Sequence, residues 1–348
     1  MAEIKLDKQH PLYQEDLNVI LQTKGLDKLI GKSILITGAT GMIGTCLIDA
    51  LMKFNKKNAN IKLYAVGRNK DKAFERIGEY FDNQLFNFIE QDVRDPLPKN
   101  LKVDFIISAA SNTHPLAYSQ FPIETIEINY FGIKYALEKA YECGATVLCT
   151  SSVEVYGNAY DNDIFDENYT GKLNLSSARS CYPESKRICE SLCQSYISER
   201  NINVKIVRLS RIFGPTMLES DSKASAQFIK KALTNEDIVL KSKGEQLFSY
   251  TYTADAVSAM LYVLLNGNIG EAYNISSFDI KLKDFAKACA KIAQKRVIFD
   301  LPTKIEENGY SIAMYAVLNN SKLKSIGWFP KYDFENAINK TLNILNKI

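Results

Sequence analysis

The sequence predicts an α/β protein, a doubly wound parallel sheet followed by a smaller C-terminal lobe. Three observations predict it. From Lys32 onward, β-branched apolar runs alternate with segments of helical periodicity. A glycine-rich turn joins the first run to the first helix, and after about Gly214 the alternation loosens into loops and scattered helices. The boundaries that follow are a helical extension over 1–30, a sheet domain over 31–210 to which part of 235–270 returns, and a lobe built mainly from 211–348.

The elements follow in order. LYQEDLNVILQ has helical spacing within the extension, KSILITGA is the first strand, and MIGTCLIDALMKF is the helix after it. KLYAVGR is the second strand, followed by the charged helix KDKAFERIGEYF. FNFIEQDV, VDFIISAAS and ATVLCTSS are further strands, helices cover 124–143 and 182–200, and VKIVRLSRIFG is another strand. Beyond Gly214, PTMLESDSKAS and KSKGEQLFSY read as loops between helices such as SAQFIKKAL and ADAVSAMLYVLL. No internal repeat or low-complexity tract interrupts the pattern.

Composition narrows the function classes. At 348 residues, with 46% hydrophobic and 24% charged residues, the chain can bury a substantial core. A net charge of +3 argues against a nucleic-acid or membrane-surface partner. No apolar run is long enough to span a bilayer, and the polar start MAEIKLDKQHPLYQEDL lacks the core of a signal peptide. The seven cysteines form no Cys-x-x-Cys pair and read as reduced core residues of a cytoplasmic protein. Two histidines and no Cys/His cluster leave no metal site to expect.

The turn TGATGMIG places Gly38, Gly41 and Gly44 between a strand and a helix near the start of a βαβ unit. Glycines there permit a tight turn and close approach to a pyrophosphate, which meets the N–H groups of the helix. The expected dinucleotide contacts are therefore these glycines with Thr40, Met42 and Ile43. Where an NAD site places an acid after the second strand, this chain has Gly67, Arg68 and Lys70. A guanidinium pairs with a 2′-phosphate, which favours NADP over NAD; the alternative is that Arg68 is a solvated loop charge. Asp92 fits an adenine contact or, equally, an ordinary turn aspartate. Val93, Ala109, Ala110 and Ser111 follow the third and fourth strands, at the carboxyl ends where such sheets bind ligands.

Tyr182 and Lys186 are four residues apart and share one helix face. A neighbouring ammonium favours tyrosinate and lowers the phenol towards neutrality. Pro183 suits a first helical position, with Tyr182 at the helix mouth. TSSVEVYG ends another strand and offers Ser152 as a hydroxyl to hold a substrate oxygen. Tyr-x-x-x-Lys alone is common; after a nucleotide turn and a strand-end serine it marks a catalytic pair.

In this order TGATGMIG, SSVEVYG, YPESK and RLSRIFGP resemble the signature set of the extended short-chain dehydrogenase/reductases that act on nucleotide-activated sugars. The resemblance runs from about Lys32 to the C-terminus. It implies a Rossmann domain with a substrate-binding lobe, an NAD or NADP cofactor, a nucleoside-diphosphate sugar as substrate, and a homodimer built from two helices per subunit. It puts Ser152, Tyr182 and Lys186 at the family's triad positions and matches Asn129 in INYFG to a structural asparagine beside the cofactor. ARSCYPESKR, FGPTMLESDSKASAQFIKKAL and the spacing from Ala110 through Tyr118 to Pro122 are similar to UDP-glucuronate decarboxylases. Glu154 takes the position of a glutamate shared by these decarboxylases and the 4,6-dehydratases. The dehydratases carry an aspartate where Val153 stands, and plain 4-epimerases typically lack a carboxylate at Glu154, so both readings are disfavoured.

Two departures stand out. Arg211 replaces an asparagine that touches the sugar nucleotide, and Phe248 replaces an arginine that grips the diphosphate. Either Arg211 restores the lost charge from a neighbouring wall, or the substrate's activating group or pose differs. Gln246 and Ser111 join Ser152 and Arg211 as expected substrate contacts; His114 is either another or a polar surface group. The reading is therefore oxidation at C4 of a nucleotide sugar with bound NAD(P)+, then decarboxylation, with Glu154 assisting at C5 or orienting the ring. Alternatives are a 4-epimerase, an NADPH-dependent 4-keto-sugar reductase and a non-catalytic dinucleotide sensor. Cell-surface polysaccharide supply is the usual destination of such enzymes.

Overall fold

The computed structural model describes residues 6–113, 115–301 and 314–345. Its strands are β1 (Ser33–Thr37), β2 (Lys62–Gly67), β3 (Phe86–Glu90), β4 (Phe105–Ser108), β5 (Thr146–Ser152), β6 (Ile164–Phe165), β7 (Asn203–Leu209), β8 (Arg211–Phe213), β9 (Ile238–Leu240), β10 (Leu247–Tyr252), β11 (Ala272–Ile275), β12 (Phe278–Lys281), β13 (Val297–Phe299) and β14 (Tyr315–Leu318). Its helices are α1 (Pro11–Ile20), α2 (Met42–Asn55), α3 (Lys70–Ile77), α4 (Pro115–Gln120), α5 (Pro122–Cys143), α6 (Cys181–Arg200), α7 (Ala224–Leu233), α8 (Thr253–Asn266), α9 (Leu282–Ile292), α10 (Ser321–Ser325) and α11 (Phe334–Leu345).

Seven strands form one sheet in the order β11-β7-β5-β4-β1-β2-β3, and every pair in it is parallel. The apolar runs that read as strands are buried on both faces, as helix-covered parallel strands must be: in β1, Ile34, Leu35 and Ile36 are all at 0% exposure. The chain winds from β1 through β2 to β3, then crosses back to β4 on the other side of β1. That reversal opens a crevice at the carboxyl ends of β1 and β4, where ligands of doubly wound sheets lie.

The return to this sheet runs beyond the expected 235–270: α8 packs on β5 and β7, and β11 pairs with β7 from Ala272↔Ile206 to Ile275↔Leu209. A second sheet has the order β12-β10-β14-β6, with β8 paired to β10. The KSKGEQLFSY stretch, expected to be a loop, thus ends in a strand. Its punctuation by Lys243, Gly244 and Glu245 is local, whereas the partners of β10 (β8, β12 and β14) lie far off in the chain. Pro183 is also displaced from its expected place, since α6 already starts at Cys181. Proline is still tolerated there, because the first-turn N–H groups have no intrahelical partner.

The helix of the N-terminal extension is held by buried polar bonds as well as by its apolar face. Tyr13, Asp16, Leu17 and Ile20 of α1 are buried, and the helix packs on α2, α8 and α11. Tyr13 donates to Asp49 Oδ2 at 2.6 Å, and Lys8 and Tyr80 donate to Asp49 Oδ1 at 2.7 and 2.9 Å. Asp16 accepts the hydroxyls of Tyr252 and Tyr332 and lies 3.1 Å from Lys340 Nζ. Burial raises the Asp16 carboxyl above its usual range although these partners pull it down. Removing the carboxylate strands two phenols and leaves the Lys340 ammonium with Glu15 alone, 3.0 Å away. Asp16→Ala is expected to cost about 3 kcal/mol, read as a lower denaturant midpoint at unchanged slope.

Candidate active site

Gly38 follows β1 at φ +71°, and a Cβ there would stand 2.7 Å from the Ala109 carbonyl oxygen. At Gly44 a Cβ would stand 2.3 Å from the Gly38 carbonyl oxygen, so only glycine lets the turn fold onto α2. The N-terminus of α2 has no side-chain cap and no acid in its first turn. Thr40, Gly41, Met42 and Ile43 are partly exposed there, so the first amide groups face the crevice with no internal anion. Opposite, Ala109 and Ala110 N–H donate to Thr37 Oγ1 at 3.0 and 3.2 Å, closing the floor between β1 and β4. This cradle fits the pyrophosphate of a dinucleotide.

Beyond β2 and β3, the rim of the crevice is laced with acids. Arg68 pairs with Glu124 and lies 3.8 Å from Asp92. Asp92 accepts the Arg94 backbone N–H at 2.9 Å and that residue's guanidinium at 2.9 and 3.1 Å. Burial opposes ionisation of Asp92, but the hydrogen bonds from Arg94 outweigh it and hold the carboxyl below its usual range. Arg68 is thus neither a bare solvated charge nor a free cation. The sequence gives no local cue to this, because Glu124 lies on α5. Val93 is buried beside Gly132 of the same helix.

Across the crevice, β5 and α6 bring the expected triad together. Ser152 ends β5, and its hydroxyl accepts the Glu154 N–H at 3.2 Å. Lys186 is 6% exposed and donates from Nζ to the Thr150 carbonyl at 3.0 Å, 5.9 Å from the centre of the Tyr182 ring. Burial pushes the Tyr182 phenol up to about 12; Glu154 and Cys189 add to the rise, while hydrogen bonding with Ser152 and Ser111 pulls against it. The expected fall towards neutrality is therefore not found in the protein alone. Its ammonium neighbour is engaged by a backbone carbonyl, and the desolvated ring resists ionisation.

Asn129 joins the halves of the cleft. Its Oδ1 accepts from Ser111 Oγ at 2.7 Å, and its Nδ2 donates to Ser185 Oγ at 2.7 Å. Ser185 donates in turn to the Tyr182 carbonyl at 2.9 Å. Tyr118 and Arg179, not singled out as site residues from the sequence, complete the wall. The Tyr118 ring stacks on Tyr182 at 5.3 Å, Arg179 lies 4.9 Å over Tyr118, and its Nη2 is 3.7 Å from Glu154. The place of Arg179 three residues before Tyr182 was the available signal. Behind the triad, Cys149, Cys189 and Cys193 are buried free thiols.

Two of the remaining expected contacts lie on or just before strands of the second sheet. The Arg211 guanidinium sits 3.5 Å over the Phe248 ring. The Gln246 amide bonds to Ser242 at 3.3 Å. His114 lies outside the described residues. Among the described residues no cluster of potential metal ligands occurs, and no helix is long and apolar enough to cross a membrane.

Comparison with known proteins places these features in a wider set. The model of the NAD dependent epimerase/dehydratase family matches residues 34–276. UDP-glucuronic acid decarboxylase 6 of Arabidopsis thaliana is 31% identical over 301 residues, covering 86% of this chain and 84% of that protein. UDP-glucuronic acid decarboxylase 1 of Xenopus tropicalis is 28% identical over 326 residues, covering 91% and 72%. Among solved structures, a dTDP-glucose 4,6-dehydratase from Streptomyces venezuelae with NAD bound shares the fold at a TM-score of 0.76 and 20% identity, covering 90% of this chain and 96% of that one. A UDP-glucose 4-epimerase from Thermotoga maritima with UDP-glucose does so at 0.75 and 20%, covering 90% and 98%.

A phenol pushed up to about 12 stays protonated at neutral pH. In an ultraviolet titration of the cofactor-free protein, the difference between wild type and Tyr182→Phe should show no phenolate below about pH 10. A tyrosinate band appearing near neutrality would overturn this assignment.

Proposed function

The chain belongs to the NAD dependent epimerase/dehydratase family, and we propose that it oxidises C4 of a nucleotide sugar and decarboxylates a UDP-glucuronate-like substrate. The carrying observation is Glu154 set beside Ser152 and Tyr182 with the apolar Val153 before it. The names of the relatives at about 30% identity support the same reading.

The bound dinucleotide supplies a hydride acceptor, a later hydride donor and a positively charged ring. Ser152 holds the C4 oxygen by hydrogen bonding. With the positive ring of the dinucleotide and the Lys186 ammonium favouring the tyrosinate, Tyr182 gives up its own proton on cofactor binding and then removes the C4 hydroxyl proton as its base. The resulting 4-ketone lies β to a carboxylate on C5, so the C5–carboxylate bond breaks with its electrons flowing into the ketone. The enolate left behind takes a proton from solvent water at C5, where Glu154 orients the ring. Tyr182 then returns its proton to the C4 oxygen, and no cofactor is consumed overall.

NAD is placed ahead of NADP here, against the expectation drawn from Arg68 alone. A 2′-phosphate would have to compete with Glu124 and Asp92 for that guanidinium and would face their charge. We also place a homodimer on α5 and α6, which leave Ile123, Ile126 and Tyr141, and Ile188, exposed.

The protein incubated with NAD+ and UDP-glucuronate should release carbon dioxide and form a UDP-pentose without net NADH, followed by product mass. Conversion of UDP-glucose with UDP-glucuronate untouched would replace this reading with 4-epimerisation. Tyr182→Phe should lower turnover roughly 10²–10⁴-fold while nucleotide binding survives; unchanged function would favour the sensor alternative. Titration should give tighter binding of NAD than of NADP, and Glu124→Gln should narrow the gap by roughly three- to tenfold, as expected for a half-exposed ion pair.

A further inference from the structure

Arg211 differs from the other partly buried arginines. Arg208 is held by Glu190, Arg76 by the carbonyls of Thr216 and Met217, and Arg187 by those of Val155 and Gly171. Arg211 makes no ion pair or side-chain hydrogen bond among the described residues, and its Nη1 is buried without any partner. A buried charged N–H with nothing to bond is costly, and native structures rarely keep one without a reason.

Its orientation is fixed. Phe248 is 6% exposed, and its ring lies 3.5 Å beneath the guanidinium, so one face of the ion is covered; Nη1 is enclosed, and Nε and Nη2 of this partly exposed residue are left without a hydrogen-bond partner among the described residues. Such a fork matches two oxygens of one anionic group. Its place is equally defined. Leu209 at the end of β7 is in register with Ser152, and the chain then leaves the large sheet at Ser210 to enter β8 with Arg211. Arg211 therefore stands at the seam of the two sheets, next to the strand end that carries the serine.

We propose that Arg211, laid flat on Phe248, is the seat of the diphosphate of the nucleotide sugar. This rests on the nucleotide-sugar reading above. The chemistry chooses between the two anions of such a substrate. A C5 carboxylate adjoins the reacting C4 and stays beside Ser152 and Glu154, whereas C1 lies across the ring and directs its diphosphate away from Tyr182. The wall made by β8 and β10 belongs to the second sheet, so it receives that far side.

The full-length protein with NAD is titrated calorimetrically with UDP, dTDP, GDP and CDP, and the tightest binder serves as the probe. Arg211→Met should weaken that binder roughly 100-fold with NAD binding and melting temperature unchanged, and Arg211→Lys roughly tenfold, as a point charge replaces a fork. Moving the charge across the contact in Arg211→Met/Phe248→Arg should recover at least about tenfold. Binding by Arg211→Met within threefold of wild type, or by none of the four nucleotides to wild type, overturns the proposal. So does a variant that keeps the nucleoside diphosphate and loses only UDP-glucuronate, which would assign the charge to the carboxylate. An Arg211-dependent nucleotide site on a protein that leaves UDP-glucuronate unchanged would uphold this proposal and remove the decarboxylase reading.

Discussion

The cleft depends on one buried hydrogen bond, from the Lys186 ammonium to the Thr150 carbonyl at the end of β5. It ties α6 to the sheet at the strand that ends in Ser152, and so sets the tyrosine and the serine on either side of the same opening. The carbonyl oxygen gives the buried ammonium a hydrogen-bond partner. The same bond holds that charge 5.9 Å from the centre of the Tyr182 ring, and burial then decides the state of the phenol. In the proposed reaction the missing positive charge arrives with the cofactor, which makes proton removal conditional on the dinucleotide being in place.

The parts of the fold that the sequence made legible are those written in short-range chemistry. The glycine turn declares itself because Gly38 needs a positive φ and Gly44 needs close approach, both consequences of a missing Cβ. The parallel sheet follows from apolar runs buried on both faces, and Tyr182 and Lys186 share a side because helix spacing puts them there. What stayed hidden is set by distance along the chain. Tyr252 reaches Asp16 across 236 positions and Arg68 reaches Glu124 across 56, so no local pattern announces either bond. The strand β10 was concealed for the same reason, since its pairing partners outweigh its own polar approach. The direction of the Tyr182 shift was hidden because a sequence shows that a lysine is near but not what the lysine is bonded to.

Charge is divided unevenly around the cleft. Where the proposed dinucleotide would end in its adenosine, Asp92, Glu124 and Glu127 surround Arg68 and Arg94, so each guanidinium is already paired and the acids are in excess by one. On the second sheet, Arg211 stands without an ion pair among the described residues on the ring of Phe248. Pairing at one end makes recognition there a matter of shape and neutral hydroxyls. The unpaired cation at the other end leaves a strong preference for an incoming anion.

The buried thiols behind the triad have a consequence of their own. Cys189 and Cys193 lie on the inner face of α6 and Cys149 on the strand beneath, at 2%, 0% and 2% exposure. While that helix is seated, reagents in solvent have no path to them. Their rate of alkylation thus becomes a clock for how often α6 lifts from the sheet, and a dinucleotide that clamps the two together would slow it.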